Sequence, residues 1–282
     1  MSDRDNVDSP VTADPWQQLR RLTRARIALG HSGASQPTAA HLAFQFAHAK
    51  ARDAVHAALD GATLVDNLDR LGLRCCEVES EAADRVTYLT RPDLGRRLSA
   101  TAIQCLEKAA GDVHRPDLAI VLADGLSARA VQDHGVPMLE RLLKIAGEHG
   151  WSVAPVVIAN QARVALGDDI GERLQARMLI MLIGERPGLS SPDSLGAYLT
   201  FGPRKGLHDD ARNCVSNIRP EGLTYGAAAF RLGALMAASF SRQLSGVSLK
   251  DDSEPMPVTQ DKAEIGNFLM DLSARRGKHS GK

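Results

Sequence analysis

Hydrophobic and polar positions divide the chain into a helical opening and a strand-helix alternation. The rest of the pattern is organised around Met178–Gly188, MLIMLIGERPG: six apolar residues without polar alternation run into a glycine, an acid, an arginine and a Pro-Gly turn. Such a run predicts a strand covered on both faces, as in a parallel α/β sheet. Two further strands are predicted over Asp117–Asp124 (DLAIVLAD) and Val153–Ala159, and another over Gly196–Phe201. Between them fall helical patterns: GLSARAVQDHGVPMLERLLKIAGEHG, interrupted at Gly135 and Pro137, then Asp168–Gln175, and finally Thr224–Leu244, rich in Gly and Ala. A helix is also expected from Arg91 through RPDLGRRLSATAIQCLEKAAG, with Pro92 and Asp93 in its first turn.

Ahead of these, Asp14-Pro15 reads as a helix start before WQQLRRLTRARIAL, followed by helices over Pro37–Leu59 and Thr63–Leu71, with no strand before Cys75. The expected class is α/β: a Rossmann-like, doubly wound, mainly parallel sheet behind an N-terminal helical segment. Four regions follow: a disordered lead (1–13), the helical segment (14–87), an α/β domain (88–246) and a C-terminal extension (247–282) with a short amphipathic stretch at Ile265–Leu272.

Charge and composition narrow the functions. Lys+Arg and Asp+Glu balance at 34 each over 282 residues, so no global field gathers nucleic acid or an anionic membrane. An aromatic content of 4% argues against a base-stacking platform. The four cysteines, Cys75, Cys76, Cys105 and Cys214, show neither a CxxC spacing nor a disulfide framework, as expected in a reducing cytoplasm. No signal-like or membrane-spanning apolar run is present in the sequence, which predicts a soluble cytoplasmic protein.

Candidate chemistry lies at the ends of the strands, where ligands meet open sheets. Gly184, Glu185 and Arg186 follow the central strand, and Glu185 is the first candidate contact. The Asp124-Gly125-Leu126-Ser127 turn opens a helix, and is either an anion-holding turn or simply a helix cap. GLSAR lacks the second glycine of a nucleophile elbow, and neither G-x-G-x-x-G nor a P-loop follows any strand. His41, His48 and His56 stand about two turns apart, roughly 10 Å along the axis, too far to share a metal. Asp112-Val113-His114 matches only part of a cobalt-histidine D-x-H-x-x-G motif, because Asp117 occupies the glycine position. Arg91, Arg96 and Arg97 form either a solvated face or a docking surface for an acidic partner, and Cys214 reads as a small buried hydrophobe.

Five dispersed stretches nevertheless share one resemblance: YLTRPDLGRRL (Tyr88–Leu98), DGLSA (Asp124–Ala128), ARVALGDDIGE (Ala162–Glu172), IGERPGLSSPDSLGAYL (Ile183–Leu199) and CVSNI (Cys214–Ile218). Together they resemble the small subunit of ethanolamine ammonia-lyase, with looser similarity over residues 16–246. The resemblance implies a hetero-oligomer, six large and six small subunits, in which a large barrel subunit holds ethanolamine and adenosylcobalamin lies between the two chains. It implies conversion of ethanolamine to acetaldehyde and ammonia, no catalytic residue and no metal ligand on this chain, and three cobalamin contacts: Val164, Glu185 and Cys214. Because the family keeps the nucleotide base on cobalt, no histidine is required. In some relatives the N-terminal end targets the enzyme to a bacterial microcompartment. A stand-alone Rossmann-like nucleotide-binding module or enzyme is the alternative, and an assembly protein a third reading.

Overall fold

The computed structural model describes residues 11–110 and 115–251. Asp112-Val113-His114 and the stretch Ile265–Leu272 lie outside the described residues. Among the described residues, seven α-helices and six strands occur in the order α1 (Thr38–His56), α2 (Gly61–Arg70), β1 (Cys75–Glu79), α3 (Arg85–Thr90), α4 (Ala100–Ala110), β2 (Leu118–Ala123), α5 (Ala128–His149), β3 (Val156–Asn160), α6 (Leu166–Arg173), β4 (Met178–Gly184), β5 (Leu195–Phe201), β6 (Arg212–Ile218) and α7 (Tyr225–Arg242). The strands form one mixed sheet in the order β1-β3-β2-β4-β5-β6. β1, β3, β2 and β4 run parallel, whereas β5 pairs antiparallel with β4, and β6 with β5.

Every residue of β2 and β4 is buried, as their unbroken apolar runs require. Successive side chains along a strand point to opposite faces. Leu118, Ile120 and Leu122 of β2, with Ile180 and Leu182 of β4, therefore join a core shared with α2, α5 and α7. Ala119, Val121, Leu179, Met181 and Ile183 join the opposite core, under α4 and α6. Each fully buried Leu, Ile or Met contributes roughly 1.5–3 kcal/mol relative to exposure, so both faces of the central strands hold the fold.

Several local expectations are corrected. Asp14 does accept from the Trp16 N–H at 2.8 Å, but only a 3-10 turn, Gln17–Arg21, follows it, with no buried residue. Leu22 and Ile27 are exposed and Ala28 has φ 50°, so the segment lacks the apolar contact that sustains a short helix in water. The helix expected from Arg91 begins at Ala100 instead, where the Ser99 hydroxyl accepts from the Ala102 N–H. Pro92 and Asp93 belong to a loop between α3 and a 3-10 turn at Leu94–Arg96, so Arg91, Arg96 and Arg97 do not stand in a helix's first turn. α5 is continuous through Pro137. Gly135 is a packing glycine there: a Cβ would sit 3.5 Å from a Leu122 methyl on the sheet. Two strands were not anticipated. β1 lies inside the segment expected to be helical, and β6 alternates buried with exposed residues, which leaves Cys214 exposed rather than buried. Among the described residues no helix is long and apolar enough to cross a membrane.

Candidate functional site

Parallel strands bring three loops together at their carboxyl ends: Asp124–Ser127 after β2, Gln161–Val164 after β3 and Gly184–Arg186 after β4. Asp124 ties the first to the second. One carboxylate oxygen accepts from the Ala162 N–H (2.9 Å), the other from the Gln161 N–H (2.9 Å) and from Arg85 Nη1 (3.2 Å). Arg85 reaches in from α3, with its Nε donating to the Val55 carbonyl at the end of α1 (2.6 Å). Burial raises the Asp124 pKa, against the opposing pull of the Ala162 N–H, Arg85 and the Gln161 N–H.

Two amides of the turn between β2 and α5 are spent on the chain itself. Leu126 N–H donates to the Gly184 carbonyl (2.9 Å), and Ser127 N–H to the Asp124 carbonyl (3.1 Å). The Ser127 hydroxyl accepts from Ala130 N–H (3.4 Å) and donates to the Pro192 carbonyl (2.7 Å). Ser127 is thus a helix cap. Gly125 is required at its position, because φ is +54° and a Cβ would run into the Gly184 carbonyl.

Beside this junction opens a cavity of about 420 Å³, lined by residues including Tyr88, Arg163, Val164, Gly184, Glu185 and Tyr198. Tyr88 is fully buried and its hydroxyl donates to the Ala162 carbonyl (3.0 Å). Burial, reinforced by the Asp124 charge and opposed by Arg163 and Arg85, pushes its pKa up to about 12. The Arg163 guanidinium lies 4.2 Å from the Tyr88 ring centroid, and its Nη2 donates to the Tyr88 carbonyl (3.0 Å). Its Nε is buried and has no hydrogen-bond partner among the described residues.

Glu185 is half-buried. Its backbone N–H donates to the Ser194 carbonyl, and both hydrogen bonds to its carboxylate fall on Oε2: the Ser194 hydroxyl at 2.5 Å and the Asn217 N–H at 3.3 Å. Oε1 accepts from no donor among the described residues. Gly196 makes room for this side chain, since a Cβ there would stand 2.9 Å from Oε1.

Val164 and Glu185 therefore share one cavity. Cys214 does not line it, but pairs across β5–β6 with Tyr198, which does, and the two side chains are hydrogen-bonded. The residue is exposed overall while its sulfur is crowded. That local burial raises the thiol pKa, the Tyr198 bond lowers it, and Glu185 raises it. Tyr198 is shifted upward too, first by burial. Tyr88, Arg163 and Tyr198 were not singled out from the sequence as site residues. Arg163 directly precedes Val164, and Tyr198 stands opposite Cys214, but these neighbours become informative only once the strand order is known.

A family model described as ethanolamine ammonia-lyase light chain matches residues 13–250. The chain is 58% identical over 273 residues to the ethanolamine ammonia-lyase small subunit of Azotobacter vinelandii, covering 96% of this chain and 99% of that protein. It is 55% identical over 271 residues to the protein of the same name in Pseudomonas paraeruginosa (96% and 99% covered), and in Xanthomonas campestris (94% and 99%). With a match over nearly its whole length and more than half its residues identical, the chain belongs to the ethanolamine ammonia-lyase light chain family.

Proposed function

We propose that this chain is the small subunit of an adenosylcobalamin-dependent ethanolamine ammonia-lyase, which forms acetaldehyde and ammonia, and that it holds one side of the cofactor against a large subunit. The observation behind this reading is the cavity itself, whose wall includes Glu185 with one carboxylate oxygen, Oε1, that accepts from no donor among the described residues. Cobalamin has an apolar ring face and a rim of amides. Glu185 Oε1 is left to accept from a rim amide N–H, and Val164 offers an apolar contact. Cys214 acts through Tyr198, whose ring it braces.

Drug-sized ligands occupy pockets of about 300–1,000 Å³, and a corrinoid is much larger than such ligands. A cavity of about 420 Å³ therefore embraces one edge, which suits a cofactor shared between two chains. When bound, adenosylcobalamin supplies the radical that starts hydrogen abstraction. This chain's part is to orient the cofactor and keep water from its edge. Serine-based chemistry at the β2 turn has no support, because the Ser127 hydroxyl is already used as the cap of α5. The finer description of the fold as doubly wound and Rossmann-like belongs to the same proposal, supported by helices packed on both faces of the parallel strands. So do the six-plus-six assembly and a place inside a bacterial microcompartment.

Reconstitution tests it. The purified chain is expected to form no acetaldehyde from ethanolamine, and to restore turnover when mixed with the large subunit and adenosylcobalamin. Turnover by the chain on its own, or full turnover and cobalamin retention by the large subunit without it, would refute the proposal.

A further inference from the structure

The N-terminal arm and α1 invert the polarity expected of a surface segment. Among the 19 residues of α1 only Ala54 is buried. The face turned toward the rest of the chain carries Ala47, Ala51 and Ala54, while Leu42 (59% exposed) and Phe46 (63% exposed) face outward one turn apart. Trp16, Leu22, Ile27 and Phe44 are exposed as well, so this one region gathers most of the uncovered large apolar side chains among the described residues. Contiguous apolar surface of this kind marks an interface.

Its charge is equally one-sided. Residues 14–56 hold six Lys and Arg against two Asp, whereas the whole chain balances at 34 each. Arg20, Arg21, Arg24 and Arg26 make no ion pair among the described residues. The Arg91–Arg97 segment, the other basic cluster, is largely neutralised internally by Arg91–Asp93 (2.8 Å) and Arg97–Glu81 (3.7 Å). Between the arm and α1 runs a groove of about 680 Å³, whose walls include Arg20, Arg24 and Arg26 and whose floor includes Ala39, Ala40 and Ala43. Small residues on the floor let another backbone approach, and the arginines select its charge. One wall of the groove also touches the loop after β4: Arg26 Nη2 donates to the Leu189 carbonyl (3.5 Å), four residues beyond Glu185.

We propose that this groove, with the outer face of α1, is the docking surface for the large subunit, and that its occupant is an acidic segment of that subunit with apolar residues seated against Leu42 and Phe46. The inference rests on the small-subunit reading above and moves the docking surface away from Arg91–Arg97.

The test titrates the full chain with the large subunit, following complex formation by sedimentation, for the wild type and three variants: R20E/R24E/R26E, L42S/F46S and, as a control cluster, R91E/R96E/R97E. Thermal melts of the free variants establish that each folds, which the exposure of these side chains favours. The first two variants are expected to bind at least about tenfold more weakly, the control to bind like the wild type, and wild-type binding to weaken as salt rises. Wild-type affinity retained by both arm variants overturns the inference and leaves the small-subunit reading standing. Failure of the wild type to bind the large subunit under any condition sinks both. If the arm variants abolish only self-association of this chain, the groove belongs to a second copy and the inference is equally overturned.

Discussion

Asp124 occupies the end of a central parallel strand, where an acid invites a catalytic assignment, yet its contacts make it a strut. Asp124→Asn removes a charge and one of two acceptor oxygens facing three donors: Ala162 N–H and Gln161 N–H at 2.9 Å and Arg85 Nη1 at 3.2 Å. Asparagine can satisfy one of those backbone N–H groups, and leaving the other buried without a partner costs about 1–3 kcal/mol. Arg85, with its side chain 14% exposed, also loses its one carboxylate partner among the described residues. Breaking a buried pair from one side costs about 3–5 kcal/mol. The two costs overlap, and relief of the carboxylate's own desolvation offsets part of them, so we expect a net loss of about 3 kcal/mol. Domains are stable by about 5–15 kcal/mol in all, so the variant should fold but melt early. In urea unfolding the midpoint should fall by about 1–3 M with an unchanged slope. Combining the change with Arg85→Met should cost about 2 kcal/mol less than the sum of the single variants, because the second substitution removes the stranded charge. Cobalamin affinity of the folded complex should be unchanged, as Asp124 does not line the cavity. A loss below about 1 kcal/mol, or additive single and double variants, would refute the strut.

Glu185→Ala should weaken cobalamin binding to the assembled enzyme by about 1–3 kcal/mol, the value of a lost buried hydrogen bond, and lower the melting temperature only modestly, through the lost bonds from Ser194 and Asn217, without unfolding the chain; an unaltered binding isotherm counts against the assigned contact. Gly184→Ala should destabilise the chain by about 1–3 kcal/mol, because its Cβ would press on the Ser127 carbonyl and stand 2.6 Å from the Asp124 carbonyl; a melting temperature equal to the wild type's refutes it. Asp168, buried against Arg212, has its pKa raised to about 6, chiefly by burial and against the attraction of Arg212. A raised carboxyl pKa means the folded state holds its proton to higher pH than the unfolded chain, so this group's contribution is largest below about pH 4 and is lost as pH rises through 6. The gap from the usual 3.8 corresponds to about 3 kcal/mol. The stability difference between wild type and Asp168→Asn should therefore shift toward the wild type as pH falls from 7 to 4, and a flat difference in urea unfolding would exclude the effect.

How much could be read from the chain depended on whether the signal was local. β2, β3 and β4 are apolar runs buried on both faces, so composition declares them. β6, RNCVSNI, is half polar because it lies at the sheet's edge, and β1 is only five residues long. The arm after Asp14 has a cap, a proline and apolar positions, all the local signs of a helix, but its large apolar side chains Trp16, Leu22 and Ile27 stay exposed among the described residues. Pro92 and Asp93 imitate a helix start for the same reason, since local preference does not reveal what a segment packs against. At the site, Glu185 was legible because it ends the most apolar strand. Arg163 and Tyr198 were not, because their nearness to Glu185 comes from the parallel pairing of β2, β3 and β4 and the antiparallel return of β5. The resemblance supplied Val164 and Cys214 without a physical reason, and the cavity supplies one for Val164.

Where Gly125 and Gly184 meet, main chain touches main chain, and no side chain from either residue intervenes. This part of the cavity wall is thus shaped by backbone hydrogen bonding, and any side chain added there meets a carbonyl. An engineer seeking to fit this chain to a corrinoid with altered rim groups has little freedom at that junction. The adjustable surface is the rim built from Arg163, Val164, Glu185 and Tyr198, where substitutions change chemistry while the backbone that carries them keeps its place.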